Sequence, residues 1–476
     1  MDNKIKDIFG RNITRRDVIK LMGSTAAVGL MGLASPVMAG NLQIAKRGRP
    51  NIVFILCDNV QYDDFGFMNH PFIQTPGVDS LARDGIVFEN AFITTSLCSP
   101  SRASILTGTY AHKHGVKNNH TCWTGQKTTF MEYIKDAGYD TAFIGKWHMP
   151  GKGLPTIPSV DLFVSYTYRE GQGSYMNCPL IVNGKHTPPR KEYLTEELTD
   201  RAIEFMEKNR GNADGSQRPF CLYLSHRATH PPFVPPKDIR GMYADKKVEL
   251  PSEVDSWFSK TNGNVFQGIM VGSYENQYRK YCEVITAMDR QIQRFLSRID
   301  ELGLKDNTII IFAADNGMMW GEHRCHGIRR PYEEVIHVPF IVRSPWTAKM
   351  AGEHRKQMVL NIDVAPTILD IAGVHIPADM DGESMLPILR DIDAPGRKAW
   401  LLEFWKYYPE NTPSYVGVRT MTHKYIEYEK TLKPQLFDLV NDPREKNNLY
   451  GTQKGDKLLP GLKAMMEALM QGNKVR

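Results

Sequence analysis

Four apolar runs of strand length each end in a cluster of polar residues, and this pattern limits the folds open to the chain. Pro50 to Leu56 leads into Cys57-Asp58-Asn59, and Thr141 to Gly145 leads into Lys146-Trp147-His148. Phe220 to Leu224 leads into Ser225-His226-Arg227-Ala228-Thr229-His230, and Thr308 to Ala314 into Asp315-Asn316-Gly317. A continuous apolar run without alternation is what a strand buried on both faces requires. Residues 76–85, 127–138, 193–209 and 274–302 carry helical patterns between these runs, and Val338 to Val342 reads as a further strand. Strands alternating with helices predict an α/β fold on a large, mainly parallel sheet flanked by helices. Ligands bind such sheets at the carboxyl ends of the strands. Asp58, Asn59, Lys146, His148, His230, Asp315 and Asn316 are therefore predicted to share one polar, metal-capable edge.

The pattern changes after residue 395. Lys398 to Phe404, Tyr415 to Thr420, Lys424 to Tyr428 and Gln435 to Asp438 are short strand candidates between turn residues, and a helix is predicted at 457–471. This gives a catalytic domain over 40–394 and a C-terminal subdomain over 395–476, a small antiparallel sheet plus one helix. Residues 1–39 stand apart. Thr14-Arg15-Arg16-Asp17-Val18-Ile19-Lys20 precedes an uncharged run from Leu21 to Met38, and Val37-Met38-Ala39 reads as a small-residue cleavage site. These are the marks of a twin-arginine export signal, and they predict a periplasmic or otherwise exported bacterial protein that uses the twin-arginine export machinery. An uncleaved anchor is the competing reading, since 18 uncharged residues approach spanning length. Three Gly, two Ser, a Thr and a Pro leave that run weakly hydrophobic and favour cleavage.

The formal charge is +6, of which residues 1–39 carry +3, so no nucleic-acid partner is implied. The seven cysteines are an odd number without zinc-finger spacing, and the sequence does not fix whether any of them pair. Asp58, Asn59, Asp315 and Asn316 offer four side-chain oxygens, a hard donor set suited to Ca²⁺ or Mg²⁺ rather than Zn²⁺. One Asp-Asn pair alone is also a turn signal; two pairs at equivalent strand ends favour a metal site.

A further stretch, Ser96-Leu97-Cys98-Ser99-Pro100-Ser101-Arg102-Ala103-Ser104-Ile105-Leu106-Thr107-Gly108, reads as a polar loop turning into a helix, with Pro100 tolerated in the first turn. Cys98 and Arg102 then share a face, and the helix N-terminus and guanidinium both favour negative charge beside Cys98. This stretch resembles the first signature of the type I sulfatases, of the alkaline phosphatase superfamily, in which the Cys of Cys-x-Pro-x-Arg is oxidised to Cα-formylglycine (3-oxoalanine). It differs from the Cys-x5-Arg loop of tyrosine phosphatases, because Ser104 stands six residues after Cys98. Gly138-Tyr139-Asp140-Thr141-Ala142-Phe143-Ile144-Gly145-Lys146-Trp147-His148 resembles the second signature. In an extended segment Lys146 and His148, two apart, point the same way. Val416 to Thr420 and Leu436 to Glu445 resemble the family's closing subdomain, so the likeness spans about 49–450.

The resemblance implies an alkaline-phosphatase-like fold and hydrolysis of a sulfate ester by a formylglycine made from Cys98, with Ca²⁺ on Asp58, Asn59, Asp315 and Asn316. It implies that Arg102 and Lys146 stabilise the transferring group, that His148 is a base near the nucleophile, and that His230 protonates the leaving alcohol. A sulfatase-maturing enzyme becomes a partner, and family habit in exported bacterial enzymes points to a sulfated carbohydrate substrate. Two positions depart from the family pattern. Asn59 stands where Asp is commoner, and Ile328 stands where a sulfate-binding lysine commonly lies four residues before Tyr332-Glu333-Glu334. Arg329 or Arg330 could supply that charge, and Arg329 is the expected substrate-binding residue. His112 and His114 read as structural, whereas Trp123, Tyr175, Arg227, Trp257, Trp405 and Tyr407 are candidates for a sugar pocket. Two rival readings remain: a phosphonate or phosphate monoester hydrolase on the same fold, and a weakly active sulfated-glycan-binding protein.

Overall fold

The computed structural model describes residues 5–6, 12–13, 49–151, 153–210, 218–249, 251, 274–408, 411–429 and 432–475. The export signal over 1–39 and Trp257 thus fall outside the described residues, apart from the short pairs at 5–6 and 12–13. Among the described residues no helix is long and apolar enough to cross a membrane.

A ten-stranded sheet organises the molecule. Its strands are β1 (Asn51–Cys57), β2 (Ile86–Phe92), β3 (Asp140–Gly145), β4 (Leu162–Ser165), β5 (Leu180–Val182), β6 (Lys185–Thr187), β7 (Phe220–Ser225), β8 (Thr308–Ala314), β9 (Phe340–Arg343) and β10 (His354–Leu360), in the spatial order β10-β2-β9-β8-β1-β7-β3-β4-β5-β6. The central run β8-β1-β7-β3-β4 is parallel throughout. β9 runs against both of its neighbours, β8 and β2, and β5 against β4 and β6. The side chains of the five central strands are nearly all buried, and four of these strands read as unbroken apolar runs.

Period-two geometry divides those runs between two cores. Val53, Ile55 and Cys57 of β1 face one core with Ile310 and Phe312 of β8; Ile52, Phe54 and Leu56 face the other with Ile309 and Ile311. Helices α1 (Pro76–Asp84), α4 (Leu194–Lys208) and α5 (Tyr274–Glu301) cover the first face. Helices α2 (Cys98–Thr107), α3 (Phe130–Asp136) and α6 (Val364–Ile371) cover the second. α3 starts where Thr129 and Glu132 form a reciprocal capping box, later than the predicted 127.

The C-terminal sheet is antiparallel, in the order β11 (Ala399–Phe404), β12 (Tyr415–Thr420), β13 (His423–Tyr428) and β14 (Gln435–Asp438). Helix α7 (Gln453–Met470) packs on it through Leu462, Met466 and Leu469. Trp400, Leu402, Tyr415 and Tyr425 join the same continuous core as the first face of the large sheet. Glu333 binds Arg419 and Lys424, both at 3.0 Å, across this junction. All seven cysteines are free thiols.

Candidate active site

The nucleophile position is made by the start of α2. Leu97 is extended (φ −156°, ψ 138°) and the helix begins at Cys98, so Pro100 lies in the first turn, where its missing N–H costs little. All ten residues of the helix are buried. Cys98 Sγ lies 3.9 Å from Asp58 Oδ1 and 3.9 Å from Asn59 Oδ1. Burial pushes the thiol up to about 12, with Asp315 and Asp58 adding to it against Lys146. As a thiol it is protonated at neutral pH and a poor nucleophile.

Arg102 lies one turn further on and is 1% exposed. Its Nε donates to Asp315 Oδ2 at 2.8 Å, and a terminal nitrogen lies 2.8 Å from the same oxygen. Its other terminal nitrogen donates to the Lys146 carbonyl at 2.8 Å and to Ser225 Oγ at 2.6 Å. One guanidinium therefore fastens the helix to the ends of β8, β3 and β7. Arg102 frames the site, and its remaining terminal nitrogen is ion-paired with Asp315 and Asp58 but has no hydrogen-bond partner among the described residues.

The four predicted clusters converge because β8, β1, β7 and β3 are adjacent and parallel. Ala314 pairs with Cys57, Leu56 with Ser225, and Gly145 with Ser225, so the polar residues leave the sheet at one level. Gly145 is required there: a Cβ would sit 1.8 Å from the Ser225 carbonyl, at a φ of +121°. Asp58, Cys98 and Asp315 bring ligand atoms within 4.8 Å of one another. Asn59, in the left-handed region at φ 60°, donates its backbone N–H to Asp315 Oδ1 at 3.1 Å. Both polar atoms of the Asn316 side chain are buried and have no hydrogen-bond partner among the described residues. A buried amide in that condition is costly unless something binds it. The two clustered carboxylates, the Asn59 amide oxygen near Cys98 and an orphaned buried amide one residue after Asp315 are a hard oxygen set that fits a divalent cation.

Lys146 Nζ donates to Asp58 Oδ2, with both side chains fully buried. The expectation that Lys146 and His148 point the same way by strand alternation is corrected. β3 ends at Gly145, and His148 takes a left-handed φ of 56°. His148 is instead held by its own contacts: its carbonyl accepts from Ser99 Oγ at 2.5 Å, and its Nε2 lies 2.7 Å from Gln172 Nε2. His230 Nδ1 lies 2.6 Å from the Pro231 carbonyl, so Nδ1 carries a proton and Nε2 is left for other work. Burial, then Lys146, lowers both imidazoles well below the ordinary histidine value; Arg102 adds to this at His148 and Arg227 at His230, with a further contribution from Arg329 at each.

That shared influence places Arg329 at the same edge. It has a φ of 79°, its N–H donates to the Ser96 carbonyl at 3.0 Å, and its Nε donates to Tyr407 Oη at 2.9 Å. Arg330 instead acts on Cys325, Tyr415 and Tyr428, toward the C-terminal sheet. Ile328 is 9% exposed and packs in the apolar core. Lys117 over Trp405 (5.3 Å) and His120 against Tyr407 (5.4 Å) join the 115–120 loop to the C-terminal sheet's first loop. Trp123 packs edge-on against Trp147. Tyr175 and Arg227, read as sugar-pocket candidates, are 2% exposed and bind backbone groups.

Sequence reasoning missed Ser225 and Gln172. Ser225 closes β7 at the level of Leu56, two residues short of the level of Asp58 and Asp315, but it opens one of the four polar clusters, so the convergence of those clusters contained the signal. Gln172 sits in a glycine-bounded turn, where nothing local marks it.

Comparison with known proteins matches the sulfatase family over residues 50–374, and a C-terminal region described as N-sulphoglucosamine sulphohydrolase over 321–472. An N-acetylglucosamine-6-O-sulfatase of Bacteroides thetaiotaomicron is 30% identical, across 95% of this chain and 92% of its own. A solved structure of a protein in complex with its substrate, D-glucosamine-2-N,6-O-disulfate, superposes with a TM-score of 0.80 at 27% identity, over 89% of this chain and 98% of that one. A phosphonate monoester hydrolase of Agrobacterium radiobacter shares the fold at 20% identity, with a TM-score of 0.74 over 90% and 96% of the two chains.

Proposed function

The chain belongs to the sulfatase family, with the alkaline-phosphatase-like fold of its structural relatives, and from that premise we propose that it removes sulfate from a 6-O-sulfated glucosamine-type sugar, using a nucleophile made from Cys98. The observation that carries this reading is Cys98 at the head of α2, 3.9 Å from two of four clustered oxygen donors. The substrate class comes from the relatives: one is named an N-acetylglucosamine-6-O-sulfatase, and another is in complex with its substrate D-glucosamine-2-N,6-O-disulfate.

Asp58, Asn59, Asp315 and Asn316 would hold Ca²⁺ or Mg²⁺, which together with the formylglycine made from Cys98 by a sulfatase-maturing enzyme would supply an activated hydroxyl for attack on sulfur. The chain's own residues do the rest. Lys146 and Arg329 bind sulfate oxygens and balance charge that grows as the ester opens. Arg102 holds Asp315 and the ends of β3 and β7 in place. His230, with Nδ1 committed to the Pro231 carbonyl, gains a second proton on Nε2 when the anionic ester binds and its negative charge offsets the burial and cations that depress the imidazole, and delivers that proton to the departing sugar oxygen. His148 takes the proton that frees sulfate from the enzyme at Nδ1, with the Gln172 amide turned so that its oxygen accepts from Nε2–H and leaves the Nδ1 lone pair open. Residues 1–39 are read as a signal for twin-arginine export to the periplasm, 40–394 as the catalytic domain and 395–476 as the subdomain that brings Tyr407 to Arg329.

Protein co-produced with a sulfatase-maturing enzyme should be given Ca²⁺ and offered N-acetylglucosamine 6-sulfate, 4-nitrophenyl sulfate and a phenyl phosphonate monoester. Sulfate release from the sugar, abolished by Cys98→Ala, is the expected result. Faster phosphonate than sulfate turnover would establish the phosphonate hydrolase reading instead, and glycan binding without turnover the binding-protein reading.

A further inference from the structure

Arg227 is 2% exposed, two residues beyond the end of β7, and its guanidinium is spent on backbone carbonyls. Nε donates to Gln172 O at 2.8 Å, one terminal nitrogen to His230 O at 3.0 Å, and the other to Pro231 O at 3.0 Å. The Tyr175 ring packs on the guanidinium at 4.1 Å, and the Tyr175 hydroxyl also donates to His230 O, at 2.8 Å. Pro231 O is at the same time the acceptor facing His230 Nδ1 at 2.6 Å. Gln172, whose carbonyl Arg227 binds, reaches His148 Nε2 at 2.7 Å with its side chain. One buried cation is thus bonded to both loops that orient the two imidazoles.

A buried guanidinium is expensive, and among the described residues Arg227 has three carbonyls and an aromatic face as partners and no carboxylate. A neutral side chain could tie two loops together at lower cost. A planar fork with donors on three nitrogens is what can fix three carbonyls at set angles at once. We propose that Arg227 is a positioning residue for proton transfer to the departing alcohol, acting with Tyr175 by fixing the Pro231 and His230 carbonyls that aim the His230 ring. The inference rests on His230 being the general acid of the sulfate-ester reaction. In that step the S–O bond to the alcohol breaks with its electron pair going to oxygen, and the Nε2 proton of the imidazolium moves to that oxygen. The sulfuryl group passes to the enzyme nucleophile, and His230 is left neutral with its Nδ1 proton on Pro231 O. An acid aimed a few degrees wrong matters little to a good leaving group and a great deal to a poor one.

The test is kcat/KM on matured, Ca²⁺-loaded enzyme across phenyl sulfates whose phenols range from nitrophenol to alkylphenols. This parameter covers the steps up to departure of the phenol, so the His148 half of the clamp does not enter it. For Arg227→Gln the expected loss is about 3-fold or less on nitrophenyl sulfate, rising to roughly 30-fold or more on alkylphenyl sulfate, within the range general acids contribute. Tyr175→Phe, which removes one hydroxyl and keeps the ring, should tilt the series the same way by less, and it decides the matter if Arg227→Gln does not fold. Arg227→Lys should fail to restore the slope, since an ammonium cannot span three carbonyls in a plane. Equal losses across the series, or none, in an active wild-type background would overturn the clamp alone. A wild-type enzyme that releases no sulfate from any member would overturn the reading of the site on which the clamp rests.

Discussion

The Arg102 guanidinium meets the Asp315 carboxylate at 2.8 Å, with the two side chains 2% and 0% exposed. The pair joins the helix that carries Cys98 to the strand that carries two of the four oxygen donors. Burial raises the Asp315 carboxyl above its ordinary value and Arg102 opposes that rise, so removing the arginine leaves a buried acid with less to balance it. Arg102→Ala is expected to destabilise the fold by about 3–5 kcal/mol, the usual cost of breaking a buried pair. Arg102→Ala/Asp315→Ala should recover part of the loss. Urea unfolding of the four members of the cycle measures this.

The oxygen donors predict a graded response to cations. Asn59→Asp adds a negative charge to the set and should tighten Ca²⁺ binding, because ligand charge tunes affinity in such sites. Asn316→Ala removes a donor whose side chain has no hydrogen-bond partner among the described residues and should weaken binding. Isothermal titration with Ca²⁺ on each variant ranks them. Chelation should abolish turnover, and added Ca²⁺ should restore it.

Much of this site was legible before any coordinates. Parallel strands buried on both faces write themselves as unbroken apolar runs, and a parallel sheet sends their polar ends to one edge. The strands that escaped notice break that rule. Ile86–Phe92 carries Glu89 and Asn90 in its middle, and His354–Leu360 opens on His-Arg-Lys-Gln with Arg355 buried against the Ile388 carbonyl. His148 was found by motif but its direction was not, because a left-handed residue after a strand end is set by Ser99 and Gln172, far away in sequence. Arg227 looked like a sugar contact, and only tertiary structure shows three backbone carbonyls around it. α7 starts at Gln453, four residues before the predicted 457, where the Thr452 side chain caps it by accepting from the Gly455 N–H at 3.1 Å.

In the proposed reading Arg329 supplies, from the neighbouring position, the charge of the family lysine whose place Ile328 takes. Arg329→Ala should lower kcat/KM by roughly 10- to 100-fold, the scale of a lost charge-assisted hydrogen bond. Arg330→Ala should change it by less than about 3-fold, since that charge faces the C-terminal sheet. Tyr407→Phe removes the Oη acceptor of Arg329 Nε and should raise KM with a smaller effect on kcat. Steady-state kinetics on N-acetylglucosamine 6-sulfate separates the three.

His112 and His114, two residues apart, should respond to pH in opposite directions. Burial works against charge on His112, yet the Glu403 carboxylate at 2.7 Å overcomes it and raises the imidazole above 6.5. Its contribution to stability is full below the unfolded value and lost as pH rises through the raised folded value. Burial lowers His114 to about 3, and its Nδ1 accepts the Val116 N–H at 3.1 Å, which only the neutral ring can do. Its contribution is full above the unfolded value and lost as pH falls from about 6.5 toward 3. His112→Asn should therefore cost more stability at pH 5 than at pH 9, and His114→Asn more at pH 8 than at pH 4.5, pH values chosen at roughly a unit or more from the ordinary histidine pKa. Melting temperatures of both variants against wild type across that range give the signs.

The most direct test of the account is the mass of the peptide carrying Cys98, taken from protein made beside a sulfatase-maturing enzyme that also converts a control sulfatase. The account predicts an aldehyde at position 98 in place of the thiol, together with sulfate release by the same preparation. A thiol at position 98 while the control is fully converted would contradict it.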